Sequence, residues 1–269
     1  MLYHKCLLHP SSKEWTIFIH GAGGSSTIWF KQVREYKEHF NVLLLDLRGH
    51  GKSRDLLKAY IKEDYSFESI SRDVLEVMDH LRVEKAHFIG ISLGTILIRT
   101  LAEMAPGRVK SMVLGGAVTR LDLRARFLVS TGNRLKNILP FIWLYQLFAW
   151  IMMPRKSHAE SRSLFIKEAR KLYKKETKRW FRLINELNPI LRYFHEKELP
   201  IPVLYLMGAE DYIFLAPVKK IIVEHKFAFL TVIQNAGHVC NVDQADIFNR
   251  ESIRFIHYSA GNTRAVTGY

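Results

Sequence analysis

Residues 86–100, AHFIGISLGTILIRT, place a serine between two glycines in a spacing typical of an exposed nucleophile. Gly90-Ile91-Ser92-Leu93-Gly94 follows an apolar run that predicts a β-strand and precedes an apolar segment with helical spacing. A serine on such a tight strand-to-helix turn exposes its hydroxyl, and the positive end of the helix lies where an oxyanion would form. A side chain at position 90 or 94 would collide with a neighbouring strand or helix. We therefore interpret Ser92 as a candidate nucleophile.

A serine nucleophile needs a histidine base and a carboxylate that orients the histidine. In chains with a turn of this kind, the acid follows the serine along the sequence, and the histidine follows the acid. The segment PVLYLMGAEDYIF supplies Asp211 just after a predicted strand, and FLTVIQNAGHVCNVDQ supplies His238 after the next one. Asp122, which follows the strand VKSMVLGG, is an alternative acid. We favour Asp211 because it lies in the G-x-x-D pattern GAED.

Short apolar runs that alternate with amphipathic segments must position these side chains. Continuous apolar runs are typical of strands that are buried on both faces of a parallel sheet. The alternation predicts an α/β fold with a doubly wound, mostly parallel sheet, in which ligands bind at the carboxyl ends of the strands. The predicted strands are WTIFIH (15–20), NVLLLD (41–46), AHFIGI (86–91), VKSMVLGG (109–116), PVLYLMG (202–208) and FAFLTVI (227–233).

The alternation is interrupted between residues 119 and 199, where no convincing strand is found. KEARKLYKKETKRWFRLINEL has helical spacing, so we interpret 119–199 as a helical insertion within a core formed by 1–118 and 200–258. The last residues, 259–269, predict a flexible tail.

With these residues identified, the sequence resembles the α/β-hydrolase fold family over roughly 15–118 and 200–258. FIHGAGGSSTIW is similar to the His-Gly oxyanion loop of the family, and LLLDLRGHGKS is similar to its Asp-x-Arg-Gly-His-Gly-x-Ser turn. GISLG, GAEDYIF and NAGHV are similar to its nucleophile, acid and histidine segments. The five motifs occur in the family's order.

The resemblance implies that the backbone N–H groups of Ala22 and Leu93 bind the oxyanion, and that His20 positions the oxyanion loop. It also implies that the helical insertion is a cap placed after the sixth strand of the family's sheet. Only 19 residues precede His20, which leaves room for one hairpin, so we expect that the sheet lacks an N-terminal edge strand. We expect Asp46, Arg48 and His50 to hold their own turn by hydrogen bonds.

The expected function is that of a serine hydrolase that cleaves a carboxylic ester or a related acyl compound without a metal or organic cofactor. Cleavage of a carbon–carbon bond, an amide or a thioester, and perhydrolysis, use the same three side chains and stay open. A ligand receptor or regulatory protein with vestigial activity also stays open, because a fold does not determine a function. A serine nucleophile argues against the dehalogenases and epoxide hydrolases of this fold, which use aspartate.

The uncharged segment ILPFIWLYQLFAWIMMP (138–154) is too short for a membrane span. Its aromatic residues Trp143, Phe148 and Trp150 are candidates for an apolar substrate pocket, although a packed cap helix or an interfacial membrane helix would have the same composition. The expected substrate is a small acyl compound with an apolar part.

The net charge of +14 is concentrated in the insertion, where 18 Lys or Arg and 7 Asp or Glu give +11 between residues 119 and 199. The basic residues include Lys167, Lys171, Lys174, Lys175, Lys178 and Arg182. A solvated helix face explains this charge most simply, and we expect at most weak association with an anionic membrane surface. Nucleic-acid binding is not expected, since no reader motif accompanies the charge. Two cysteines and no recognisable signal peptide favour a cytoplasmic protein.

Overall fold

A seven-stranded sheet in the order β1-β3-β2-β4-β5-β6-β7 forms the centre of the protein. It is seen in a computed structural model that describes residues 1–58, 65–121, 126, 130–132, 134–135, 139–172, 174–185 and 187–261. The strands are β1 (His4–Leu7), β2 (Trp15–Ile19), β3 (Asn41–Leu45), β4 (Ala86–Ile91), β5 (Val109–Gly115), β6 (Val203–Gly208) and β7 (Ala228–Ile233). All neighbouring strands except β1 and β3 run parallel. The predicted α/β fold with a mostly parallel sheet is confirmed.

The first strand differs from the sequence-based expectation of a hairpin with β2. Strand β1 lies antiparallel to β3 at the edge of the sheet, with His4 opposite Leu45 and Leu7 opposite Val42. Since β2 pairs with β3 and β4, both of its edges are occupied by parallel neighbours. The N-terminal segment therefore supplies an edge strand rather than half of a hairpin.

Helices cover both faces of this sheet. Strand residues alternate between two apolar clusters: Ile17 and Ile19 pack on one side, whereas Phe18 of the same strand packs on the other. This period of two is the geometry of a doubly wound sheet. The helices outside the insertion are α1 (Val33–Tyr36), α2 (Phe67–His80), α3 (Leu93–Met104), α8 (Leu215–Glu224), α9 (Cys240–Asp243) and α10 (Ala245–Gly261).

Four helices are described between β5 and β6, within the segment interpreted as an insertion. They are α4 (Phe141–Met152), α5 (Ala159–Ala169), α6 (Lys174–Asn185) and α7 (Leu187–Glu196). Five described strands of this chain, β1 to β5, precede these helices. The predicted helical segment 167–187 is divided between α5 and α6. Helix α5 ends in a tighter turn, in which the N–H of Lys171 donates to the oxygen of Glu168, three residues earlier (3.0 Å).

The structure describes only the first three residues of the predicted flexible tail, 259–269. The final helix continues to Gly261, and the hydroxyl of Ser259 donates to the carbonyl oxygen of Phe255 (2.9 Å) in the manner of a helix. Residues 259–261 are therefore helical, contrary to the prediction, and 262–269 lie outside the described residues. Among the described helices, none is both long and apolar enough to cross a membrane.

Candidate active site

Ser92 occupies a strained turn between β4 and α3. Its backbone angles are φ 54° and ψ −123°, a region that side chains rarely adopt because of steric strain. The surrounding chain holds the turn: Ser92 N–H donates to Gly115 O of the neighbouring strand (3.0 Å), and Ser92 O accepts from the Thr95 hydroxyl (2.6 Å). Strain of this kind persists only where the surroundings determine it, and it aims the half-buried serine outward from the sheet.

The glycines on either side of Ser92 are required by close packing, as the sequence predicts. A Cβ at Gly94 would lie 2.4 Å from the carbonyl oxygen of Ile19, which belongs to the backbone of β2. A Cβ at Gly90 would lie 2.5 Å from Ile98 Cδ1 and 3.1 Å from the backbone of Gly94. Since backbone atoms cannot move aside cheaply, helix α3 can approach the sheet only with glycine at position 94.

His238 and Asp211 meet Ser92 at the carboxyl end of the sheet. His238 Nε2 lies 2.9 Å from Ser92 Oγ, and His238 Nδ1 lies 2.8 Å from Asp211 Oδ2. The other carboxylate oxygen, Oδ1, accepts from the N–H groups of Phe214 (3.0 Å) and Ile213 (3.4 Å). Because an ionised Asp211 can only accept, Nδ1 carries a proton and Nε2 is free to accept one from the serine hydroxyl.

His20 fixes the loop that carries the predicted oxyanion donor Ala22. Its Nδ1 lies 2.8 Å from Gly21 O, and its Nε2 accepts from the N–H of Leu47 (3.0 Å), so Nδ1 is the protonated nitrogen. Burial lowers the pKa of His20 and keeps the ring neutral. Gly21 O belongs to the same peptide plane as Ala22 N–H, so this hydrogen bond sets the direction of that N–H.

The two predicted oxyanion donors lie on segments that contact each other. A Cβ at Gly21 would lie 3.1 Å from Ser92 Cβ, so the peptide before Ala22 adjoins the serine. Leu93 is the first residue of α3, where N–H groups have no intrahelical acceptor. The helix end also contributes positive potential at this point.

Two side chains from the insertion hold the oxyanion loop, and the sequence analysis did not identify them. The hydroxyl of Tyr145 on α4 donates to Ala22 O (2.9 Å), and its ring stacks on Phe165 with the ring centres 4.7 Å apart. The buried carboxylate of Glu168 on α5 accepts from the Ser25 hydroxyl (2.7 Å). No spacing signal links these pairs, which are more than 120 residues apart in sequence.

The turn after β3 is held by its own polar residues, in agreement with the prediction. Asp46 accepts from the N–H groups of Ser26 (2.7 Å) and Lys52 (2.9 Å), and Arg48 Nη2 donates to Asp73 Oδ1 (2.7 Å). His50 Nε2 accepts from Gly23 N–H (3.0 Å) in the oxyanion loop, while its Nδ1 donates to Arg48 O (2.9 Å).

A third cap contact joins the insertion to the loops of Asp211 and His238. His158 is fully buried and its Nε2 lies 2.7 Å from Glu210 Oε2, although the two groups are not aligned as a hydrogen bond. A Cβ at Gly237 would lie 2.8 Å from Cε1 of the same ring. Since Glu210 and Gly237 each adjoin a site residue, His158 packs directly behind both loops.

The structure does not place the predicted pocket residues Trp143, Phe148 and Trp150 against Ser92. Trp143 and Trp150 are 60% and 54% exposed because Leu144, Tyr145 and other residues of α4 take the inward positions. Phe148 is half-buried, and a Cβ at Gly132 would lie 2.6 Å from its Cζ. A small cavity instead lies one helical turn from Ser92, and none of the three predicted residues is among its described lining. It is lined by Thr95, Ile96, Arg99, Leu114, Ala117, Val118, Thr119, Leu191, Phe194, Tyr205 and Ile221.

Asp122, the alternative acid, lies outside the described residues. Cys240 is buried, its thiol contacts Leu206 O (3.3 Å), and burial raises the pKa of this thiol. The described part of the chain contains no group of three or more metal-ligating side chains.

The comparisons with known proteins agree with this fold. A family model described as the alpha/beta hydrolase fold matches residues 15–135. The structure of the enol-lactonase from Burkholderia xenovorans LB400 superimposes with a TM-score of 0.76 and 21% identity, over 95% of this chain and 96% of that one. The chain has the α/β-hydrolase fold.

Two curated relatives of this α/β-hydrolase-fold protein extend the comparison. 3-Oxoadipate enol-lactonase 1 of Acinetobacter baylyi is 30% identical over 42% of this chain, a match that covers only 40% of the lactonase. The uncharacterized carboxylesterase nap of Bacillus subtilis is 26% identical over 95% of this chain and 83% of its own length.

Replacing Tyr145 by Phe should slow any reaction at Ser92, because the ring stays packed while the Ala22 carbonyl loses its hydrogen bond. We expect kcat to fall about tenfold, with KM nearly unchanged and a loss of about 1 kcal/mol of stability. Tyr36→Phe is the matched control, since the Tyr36 hydroxyl donates to Ser252 (2.5 Å), a residue outside the site. If Tyr145→Phe and Tyr36→Phe have the same melting temperature and also the same kcat, a role for Tyr145 in the loop is contradicted.

The buried His50 should make the protein less stable in mild acid. Burial lowers its folded pKa from 6.5 to about 3, so between these values the unfolded chain binds a proton that the folded chain excludes. The free energy of unfolding should therefore fall as the pH drops below 6.5, with His50 contributing about 2 kcal/mol by pH 5. Urea unfolding at pH 7.5 and pH 5 measures this loss.

His50→Gln should show a smaller difference between the two pH values than the unmodified protein. His80→Gln, at an exposed position on α2, is the matched control and should leave the difference unchanged. If His50→Gln has the full pH dependence, His50 is not the residue responsible.

Proposed function

We propose that the protein is a serine hydrolase that cleaves a carboxylic ester or a related acyl compound. The observation that carries this proposal is the continuous contact from Asp211 through His238 to Ser92, with distances of 2.8 Å and 2.9 Å. Both distances are within the range at which a nucleophile and its base exchange a proton.

In the first half-reaction, Ser92 Oγ attacks the carbonyl carbon while His238 Nε2 takes the hydroxyl proton. Asp211 stabilises the imidazolium that forms, because its carboxylate lies against Nδ1. The negative charge moves to the carbonyl oxygen, where the N–H groups of Ala22 and Leu93 would donate to it. The intermediate then collapses, the bond to the leaving alcohol breaks, and His238 gives that alcohol its proton.

In the second half-reaction, water attacks the acyl-serine ester with His238 as the base. Collapse of this second intermediate releases the carboxylic acid and returns the proton to Ser92 Oγ. The proposed scheme uses only side chains and backbone groups of this chain, with no additional cofactor.

Two relatives, an enol-lactonase and a carboxylesterase, favour ester cleavage over the other reactions. A lactone is a cyclic ester, so an enol-lactonase and a carboxylesterase both point to the same class of bond. Amide, thioester and carbon–carbon cleavage are alternatives on the same side chains.

The test of the reaction class is a screen with p-nitrophenyl esters of graded acyl length, in parallel with the matching anilides and thioesters. We expect turnover of the esters by the native protein and none by Ser92→Ala. Turnover of anilides or thioesters in preference to esters would contradict the proposed bond class, although the triad would stand. No turnover of any acyl compound would favour a receptor or regulatory protein.

Substitutions in the triad should have effects that are large and not additive. Ser92→Ala and His238→Ala should each lower kcat by about 10⁴- to 10⁶-fold, and the double variant should be little worse than either. Asp211→Asn should fold normally and lose about 10⁴-fold, because the amide favours the wrong histidine tautomer. Steady-state kinetics on the best ester, with circular dichroism as the check on folding, measure these losses.

Asp122→Asn is the matched control for the acid. It removes the charge of the alternative carboxylate by the same chemical change and should alter kcat little. A larger loss in Asp122→Asn than in Asp211→Asn would mean that the acid is assigned to the wrong residue.

A further inference from the structure

One face of α4 exposes four large apolar side chains to solvent. Trp143, Leu147, Trp150 and Ile151 are 60%, 41%, 54% and 43% exposed, and their spacing of four, three and one places them side by side on the helix. We call these four residues the outer face of α4. Single exposed apolar residues are ordinary, but an uninterrupted group of this size usually marks a surface that binds something.

The opposite side of α4 is already used in folding. Leu144, Tyr145 and Ala149 are buried, and the Tyr145 hydroxyl is bound to Ala22. The 12 residues of this helix, FIWLYQLFAWIM, include no charged side chain. Rotation of α4 to bury its outer face would break the contact between Tyr145 and Ala22, so the outer face stays exposed among the described residues.

Basic side chains adjoin the outer face at the end of α4. The Arg162 guanidinium lies 3.7 Å from the centre of the Trp150 ring and donates to the backbone oxygen of Arg155 (3.1 Å). Lys156 is exposed, and Arg155 is exposed as well, although its Nη1 pairs with Glu210 Oε1 (2.5 Å). An apolar surface that contains tryptophan and is bordered by Arg and Lys is the composition of helices that lie in a membrane interface.

We propose that the outer face of α4 docks on the surface of an anionic lipid bilayer. The tryptophan rings and aliphatic chains would enter the boundary between headgroups and acyl chains, and the arginine and lysine groups would meet the lipid phosphates. A helix of 12 residues is about 18 Å long, which is enough to lie in the interface and too short to cross the hydrocarbon. A second copy of the chain is a poorer partner, because two molecules of charge +14 repel each other.

Vesicle flotation tests the proposal with phosphatidylcholine vesicles alone and with vesicles that contain phosphatidylglycerol. We expect stronger binding to the anionic vesicles, weakened by salt because the charged part is screened over about 8 Å at physiological ionic strength. Tryptophan fluorescence of the bound protein should shift to the blue and be quenched by brominated lipid. The double variant Trp143→Ser, Trp150→Ser should reduce partitioning about tenfold or more, since it removes the two largest inserted groups.

Tyr258→Ser is the matched control, since Tyr258 is an exposed aromatic residue on α10 with an exposed fraction of 62%. It should bind anionic vesicles like the unmodified protein. Ser92→Ala should also bind fully, so docking can be judged separately from the proposed hydrolysis.

Three results would overturn the proposal. The first is no flotation with anionic vesicles even at low salt, and the second is flotation that the double tryptophan variant leaves unchanged. The third is a dimer in sedimentation velocity that the double variant converts to monomer, which would assign the outer face to a second copy of the chain.

Discussion

The arrangement at the carboxyl end of the sheet depends on the strained backbone of Ser92. With φ at 54°, the chain turns directly from β4 into α3 and projects Oγ toward His238. This geometry can exist only if α3 comes very close to β2, and that approach requires the absence of a side chain at Gly94. The hydrogen bond from Ser92 N–H to Gly115 O of the neighbouring strand offsets part of this strain. The positions of Ser92, of the start of α3 and of the loop that carries Ala22 all depend on this one close packing contact.

Side chains of the insertion bond directly to the predicted oxyanion loop. Tyr145 and Glu168 each bond to the oxyanion loop from the cap side, and His50 bonds to the same loop from the sheet side. A loop with few apolar residues has little packing energy of its own, so these hydrogen bonds determine its conformation. Because the insertion supplies two of these bonds, a change in the position of α4 or α5 would reach the loop that carries Ala22 directly. The proposed docking of α4 on a membrane would act on the same helix.

The sequence allows the sheet and the triad geometry to be predicted because their signals are local. Buried parallel strands are continuous apolar runs, and the tight turn at Ser92 needs glycine at fixed positions. The pairing of β1 is not local, since a short, partly buried strand carries no information about which edge it joins. The sequence also does not predict that Trp143 and Trp150 face solvent. A helix that is apolar on every side has no periodicity to mark its inward face. The contacts of Tyr145 and Glu168 arise from tertiary packing alone.

Labelling with a fluorophosphonate probe tests most directly whether this strained turn makes Ser92 a nucleophile. At neutral pH, intact mass and peptide mapping should show one adduct per chain, located on Ser92. Ser92→Ala should not be labelled, and His238→Ala, which keeps the turn but removes the base, should be labelled far more slowly. A native protein that stays unmodified, or an adduct on a different residue, would contradict the account.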